Sequence, residues 1–337
     1  MSCFKRYNFT IFICFIFLVS CGEVQEKQKI VLTGYVNSSS MELFDNQIFI
    51  AVGSEEDYIN KIIAYDLDNH AEKVIYETDG ELKRINDLMV NKNYITWVES
   101  ANDGENAKII LFDRHQNKWK TIYEAAPDML DLVAPYLMDN NVAWIGMGDG
   151  DKPSVVTLYD INKNDYKTIS KVNNHNFYNN FIKMHMGSVY WTDMINGENY
   201  FVSYDLKTEE VKQIEAKHGT PGYIDVLGEN MFALEFTDHF DWVTNVLTYT
   251  NTAGNVYEKI TDEWVYSFTV FKNNIVYIEN QNGNVVKYNL ANKQHENIET
   301  ELEIVETIKA SSDAKYLMMN YINQDEEKIE IELIPMN

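Results

Sequence analysis

The chain has 337 residues, enough for one large domain or two small ones, and its 52 acidic against 28 basic residues give a formal charge of −24. Phosphate contacts need clustered Lys and Arg, so this balance excludes nucleic acid as a partner, and anionic lipid headgroups would repel the chain. The three cysteines are Cys3, Cys14 and Cys21, which excludes a disulfide framework for everything beyond residue 21.

The first twenty residues read as an export signal. Lys5 and Arg6 form a positive start, and residues 7–19 form an apolar run too short for a membrane span of about 20 residues. The run ends in Leu18-Val19-Ser20-Cys21, which resembles the lipobox of bacterial lipoproteins. That resemblance implies lipidation of the Cys21 thiol, cleavage before it, and an extracytoplasmic protein held by acyl chains at the cell membrane or outer membrane. Removing Lys5 and Arg6 with the signal moves the charge from −24 to −26. The expected division is signal 1–20, a short tether 21–28, and one folded domain over 29–337.

A repeat fills that domain. The stretches "KIIAYDLDN", "KIILFDRHQ", "VVTLYDINK" and "YFVSYDLKT" share an apolar strand, an aromatic, an Asp and a polar turn. The aromatics Tyr65, Phe112, Tyr159, Tyr204, Tyr249 and Tyr288 lie 47, 47, 45, 45 and 39 residues apart, a step in the range of propeller blades. Ala51, Trp97, Trp144, Trp191, Leu234, Tyr277 and Met318 repeat at a similar step upstream, and Ile75, Ile122, Ile169, Ile214, Ile260 and Ile298 downstream. Each unit therefore predicts four short strands separated by Asn, Asp and Gly turns. The carboxylate after each aromatic can accept backbone N–H bonds in the turn that follows. The expected fold is an all-β, seven-bladed β-propeller of four-stranded blades, with six or eight blades as the alternative. The last unit lacks its fourth strand and "QKIVLTGYV" (28–36) precedes the first unit, so the N-terminal strand is expected to close the ring.

"SSDAKYLMM" (311–319) resembles the Ser-Pro-Asp-Gly-Lys element of TolB-like propeller repeats, with Ser312 in place of the Pro and Ala314 in place of the Gly. The resemblance implies an extracytoplasmic propeller lipoprotein, most often a non-enzymatic binding scaffold for an envelope protein, peptide or glycan. The alternative is a propeller lyase or hydrolase using loop histidines and carboxylates.

No Gly-x-Ser-x-Gly, His-Glu-x-x-His or P-loop pattern occurs, and no cofactor is expected. "NDGENA" (102–107) and "MGDGDKP" (147–153) offer oxygen ligands, but Asp-Gly and Asn-Gly are ordinary hairpin chemistry, so no metal site is expected there. His175, His218 and His239 fall on loops of one face between blades 3 and 5, where three imidazoles could hold Zn²⁺ or serve acid–base catalysis. Phe177, Tyr178, Tyr223, Phe240, Trp242 and Trp264 gather on the same face with Asp238 and Asp241, as candidate contacts for a ligand. The loops of this face are acidic throughout and favour a cationic partner.

Overall fold

The computed structural model describes residues 26–55, 58–78, 84–102, 104–126, 129–148, 153–173, 181–238, 241–280 and 283–336. The expected signal, Cys21, His175, Phe177, Tyr178, His239 and Phe240 lie outside them. The described chain forms seven four-stranded antiparallel sheets arranged as the blades of a propeller. Six blades take their strands in sequence order. In the seventh the order is N-terminal strand, third, second and first, so the strand Gln28–Thr33 completes the last blade and closes the ring. It pairs with Lys328–Pro335 from Gln28↔Leu333 to Thr33↔Lys328. Ile30 and Leu32 point into the seam between blades 7 and 1, against Ile329, Ile331, Leu333, Ile48, Ile50 and Ile63.

The three repeated positions each have a physical function. The second strand of each blade is buried on both faces, which suits its β-branched and aromatic residues. Trp97, Trp144 and Trp191 are fully buried in blades 2 to 4. Tyr76, from the outermost strand of blade 1, packs on Trp97 at 4.8 Å between ring centres, and Tyr123 packs on Trp144 at 5.0 Å, so these rings join one blade to the next. Two of the third-strand aromatics, Tyr159 and Tyr204, receive a lysine from the preceding blade. Lys120 Nζ donates to the Tyr159 hydroxyl at 2.9 Å, and Lys167 Nζ to the Tyr204 hydroxyl at 3.1 Å. The turn carboxylates act as expected: Asp66 accepts from the N–H groups of Asp68 and Asn69, Asp113 from His115 and Gln116, Asp160 from Asn162 and Lys163, and Asp205 from Lys207 and Thr208.

The innermost strands line the propeller axis. They are Asn37–Phe44, Arg84–Val90, Met129–Met138, Lys183–His185, Thr220–Leu227, Val265–Phe271 and Thr307–Ala310. Five of them break register, between Ser38 and Met41, Asn86 and Met89, Val133 and Tyr136, Gly222 and Asp225, and Val265 and Ser267. Bulges bend a strand and re-aim its side chains. Here they lie in the half of each strand nearer the face that carries the long loops. Side chains tie neighbouring inner strands together: Ser40 Oγ, in the bulge of blade 1, accepts from Leu88 N–H in the bulge of blade 2 at 3.0 Å, and Thr269 Oγ1 accepts from Ala310 N–H at 3.1 Å.

Candidate active site at the propeller axis

Every blade contributes a polar side chain to the axis: Glu42, Asp87, Tyr136, Lys183, Asp225, Ser267 and Lys309, in blade order. Lys183 Nζ lies 5.2 Å from the centre of the Tyr136 ring and 3.8 Å from Asp225 Oδ1, which links blades 3, 4 and 5. Lys309 forms an ion pair with Glu42, which links blades 7 and 1, and Glu42 is only 5% exposed. Burial pushes the Tyr136 hydroxyl well above its ordinary value. The carboxylates of Asp225 and Glu42 raise it further, from blades on either side, and Lys309 opposes them. The hydroxyl therefore keeps its proton and is available as a hydrogen-bond donor.

A second level lies toward the loop face. Tyr223 occupies the bulge of blade 5 with φ 46° and Asp87 the bulge of blade 2 with φ 54°, both in the left-handed region that non-glycine residues seldom adopt. The Tyr223 ring packs on Phe181 at 4.2 Å and hydrogen-bonds Ser267. Burial raises its hydroxyl, Lys183 lowers it and Asp87 raises it, so the two levels share Lys183. Behind them, His185 Nε2 accepts from Gly228 N–H at 3.0 Å, which requires that nitrogen to be unprotonated. Burial lowers the imidazole pKa and favours that form, while Asp225 opposes it.

Among the described residues, Tyr223 is thus an expected contact residue that the fold carries into the axis, on a strand rather than a loop. Asp238 and Asp241 are exposed on the loop face of blade 5. The Asp241 carboxylate accepts from Val243 N–H at 3.1 Å and so caps the turn Trp242–Thr244. Trp264 stands half-buried before the inner strand of blade 6, its carbonyl accepting from Asn280 N–H at 3.0 Å. His218 lies away from the axis. Its backbone N–H donates to the buried Glu235 at 2.7 Å, and its ring is 5.7 Å from that of Tyr257 on the outermost strand of blade 5. Glu235 also accepts from Thr248 and Tyr257 and fastens the loop before blade 5. Glu55, Glu105, Asp325 and Glu326 are exposed on the loop face, as its acidity predicts.

No protein-family model matches the chain, and no curated protein matches it in sequence. Solved structures do match its fold. An oligogalacturonate lyase from Vibrio parahaemolyticus is 13% identical with a TM-score of 0.61, over 91% of each chain. A second oligogalacturonate lyase, described in complex with manganese, is 9% identical with a TM-score of 0.61 over 91% of each chain. The β-propeller domain of the Trilobed protease from Pyrococcus furiosus is 11% identical with a TM-score of 0.66, over 89% of this chain and 95% of that one. At these identities the likeness shows the fold, which is the propeller that the TolB-like resemblance implies. The expectation of a non-enzymatic binding or scaffold protein is corrected: two structures that share the fold over 91% of each chain are named as oligogalacturonate lyases, so the alternative reading, a propeller lyase or hydrolase, is the better supported of the two. Among the described residues, no three His, Cys, Asp or Glu side chains come together to hold a metal ion.

Proposed function

We propose that the chain is a propeller enzyme of the lyase or hydrolase class that cleaves a glycan at its axis. The observation that carries this reading is the convergence of the blades on a protonated tyrosine beside an ammonium–carboxylate pair. Breaking a glycosidic link needs a proton for the leaving oxygen and a base for the attacking water or the abstracted proton. Tyr136 supplies the proton. Asp225, across the axis, takes one up. Lys183, against both, stabilises negative charge as it develops on the departing oxygen. The strained backbone at Tyr223 and Asp87 supports the same placement, since such conformations cluster at functional sites. The lyase folds that match the whole propeller support the class of reaction. The Leu18-Val19-Ser20-Cys21 motif supports a working place outside the cytoplasm, with the enzyme anchored through a lipid on Cys21.

The test is incubation of the purified domain with a panel of envelope and plant-wall oligosaccharides. Products are read both as new reducing ends and as ultraviolet absorbance of unsaturated sugars. New reducing ends alone identify a hydrolase, and both together a lyase. No cleavage of any member of the panel would overturn the reading.

A further inference from the structure

We infer that the protein meets the membrane with the face that carries its short turns, seats Trp119 and Tyr166 in the headgroup layer, and holds the acidic loop face away from the lipid. This rests on the lipid on Cys21 proposed above and is independent of the reaction proposed at the axis. The turn face is built from the hairpins between first and second strands and those between third and fourth. Backbone bonds join the two sets: Leu67 N–H donates to the Asn46 carbonyl, Ile161 N–H to Asn140 and Leu206 N–H to Gly187, each at 2.9 Å. The N-terminal strand enters from this face. It runs in the same sense as the other outermost strands, and Gly34 N–H, just past its end, donates at 2.8 Å to the carbonyl of Glu327 in a loop of the opposite face. Glu26, the first described residue, lies five positions after Cys21. A chain spans at most about 3.5 Å per residue, so acyl chains on Cys21 keep the start of this strand within about 18 Å of the lipid.

Charge and apolar surface divide the two faces in the same way. Among the described residues, the turns carry as many basic as acidic side chains, whereas the loops of the opposite face carry acids many times over against Lys217 alone. The charge of −24 therefore repels anionic headgroups chiefly through the loop face and turns the other face toward them. Along the outer rim of the turn face, blades 2 to 4 carry what a bilayer surface accepts. Trp119 and Tyr166 occupy one repeated position on successive outermost strands, opposite Phe112 and Tyr159, and are 57% and 53% exposed. Blades 1 and 5 have Glu72 and Glu258 there, so the propeller itself does not require an aromatic. Tyr76 and Tyr123 brace the two rings edge-on at 5.8 and 5.3 Å. Val211 is exposed at the same end of the next outermost strand, and Met186 is 76% exposed at the tip of a turn in blade 4. Trp and Tyr rings favour the headgroup layer, where their apolar body and polar tip are both satisfied. Lys120 Nζ donates at 2.9 Å to the Tyr159 hydroxyl and at 2.6 Å to Asn164, both neutral, so its charge is left for a lipid phosphate. On the loop face the exposed Val243 and Ile304 stand near Asp241 and Glu303, whose desolvation opposes insertion.

The test uses the full chain expressed in a bacterial host, purified from the membrane and returned to vesicles of phosphatidylcholine and phosphatidylglycerol. Once the signal is removed and Cys21 acylated, no other cysteine remains. Gln116→Cys on the turn face and Gln324→Cys on the loop face, both at exposed positions, can therefore each take one fluorophore. The second strands that run between the faces are six to eight residues long, about 20–26 Å, so a quencher on the lipid headgroups should quench the label at 116 at least about fivefold more than the label at 324. Trp119→Ser together with Tyr166→Ser should lower quenching at 116 at least about twofold, because the rim loses its hold on the headgroup layer, with the circular dichroism of the domain unchanged. Equal quenching of the two labels, stronger quenching on the loop face, no quenching of either, or no effect of the double substitution would each overturn the inference. The mass of the purified chain separates this failure from that of the anchor. An unmodified Cys21 removes both, and an acylated Cys21 with any of those four results removes the orientation alone.

Discussion

The closing strand offers a sharp test, because two adjacent residues in it have opposite surroundings. Leu32 is 2% exposed and packs in the seam between blades 7 and 1, opposite Ile329. Val31 is 46% exposed and pairs with Glu330. Truncating a buried leucine costs the lost transfer energy plus a cavity term, about 3 kcal/mol. A surface valine truncated to alanine costs no more than about 0.5 kcal/mol. For a domain of this size ~1 kcal/mol moves the thermal midpoint by roughly 2 °C, so Leu32→Ala should lower it by about 6 °C and Val31→Ala by about 1 °C. Differential scanning calorimetry of the two variants beside the parent reads both. The contrast depends on register, since a slip of one residue would exchange the two faces of the strand. Equal shifts for the two variants, or a shift near zero for Leu32→Ala, would refute N-terminal closure in this register.

Three other outcomes follow from particular contacts. The indole N–H of Trp97 is buried without a partner, so Trp97→Phe should cost less than about 1 kcal/mol in urea unfolding, because loss of an unsatisfied donor offsets part of the cavity, whereas Trp97→Ala should cost about 3–5 kcal/mol. Hydrogen bonds from Lys29 and Lys328 hold the Glu330 carboxyl below the usual carboxylate range, at 2.8 and 2.9 Å. A depressed folded pKa stabilises above the unfolded value of about 4.3 and loses that contribution as pH falls through the folded value, so Glu330→Gln should destabilise at pH 7 and approach the parent as pH falls below about 4.3 in thermal melts. Expressed in a bacterial host with a fatty-acid analogue, the full chain should be labelled and Cys21→Ala should not, with equal labelling of the two counting against lipid anchoring.

The fold was legible because each blade repeats its own local chemistry. The aromatic of the third strand, the acceptor that follows it and the buried second strand recur at one step, and all three recur for structural reasons visible in Asp66, Tyr159 and Trp144. The closing strand was legible from the fourth strand missing at the other end. One register was off by a residue: Ile50, not Ala51, matches Trp97, since Ile50 pairs with Ile63 as Trp97 pairs with Ile110. The large residue that marks the position in blades 2 to 4 is absent there, and two neighbouring apolar residues fit the period equally well.

The axis was not legible. Glu42, Asp87, Tyr136, Lys183, Asp225 and Lys309 come from different blades, with a different chemical type at almost every step, so no motif or period marks them. The strands of Glu42, Asp87, Tyr136 and Asp225 are broken by bulges and those of Lys183 and Lys309 are only three and four residues long, so no alternation shows which side chains face inward. Ring closure alone brings them together. Loop histidines and aromatics, by contrast, stand out in a sequence because they are rare residues in polar surroundings, and His218 shows that prominence is not placement: its backbone is tied to Glu235 at 2.7 Å and its ring faces an outer strand.

The central claim is that the chemistry takes place at the axis through Tyr136, and a single-atom change tests it most directly. Tyr136→Phe removes the hydroxyl and keeps the ring under Lys183. With a cleaved oligosaccharide in hand, kcat/KM should fall by about 10²–10⁴-fold, the usual contribution of a general acid, while binding of the same oligosaccharide and the thermal midpoint stay near the parent's. A variant that cleaves as fast as the parent would place the reaction elsewhere and contradict the account.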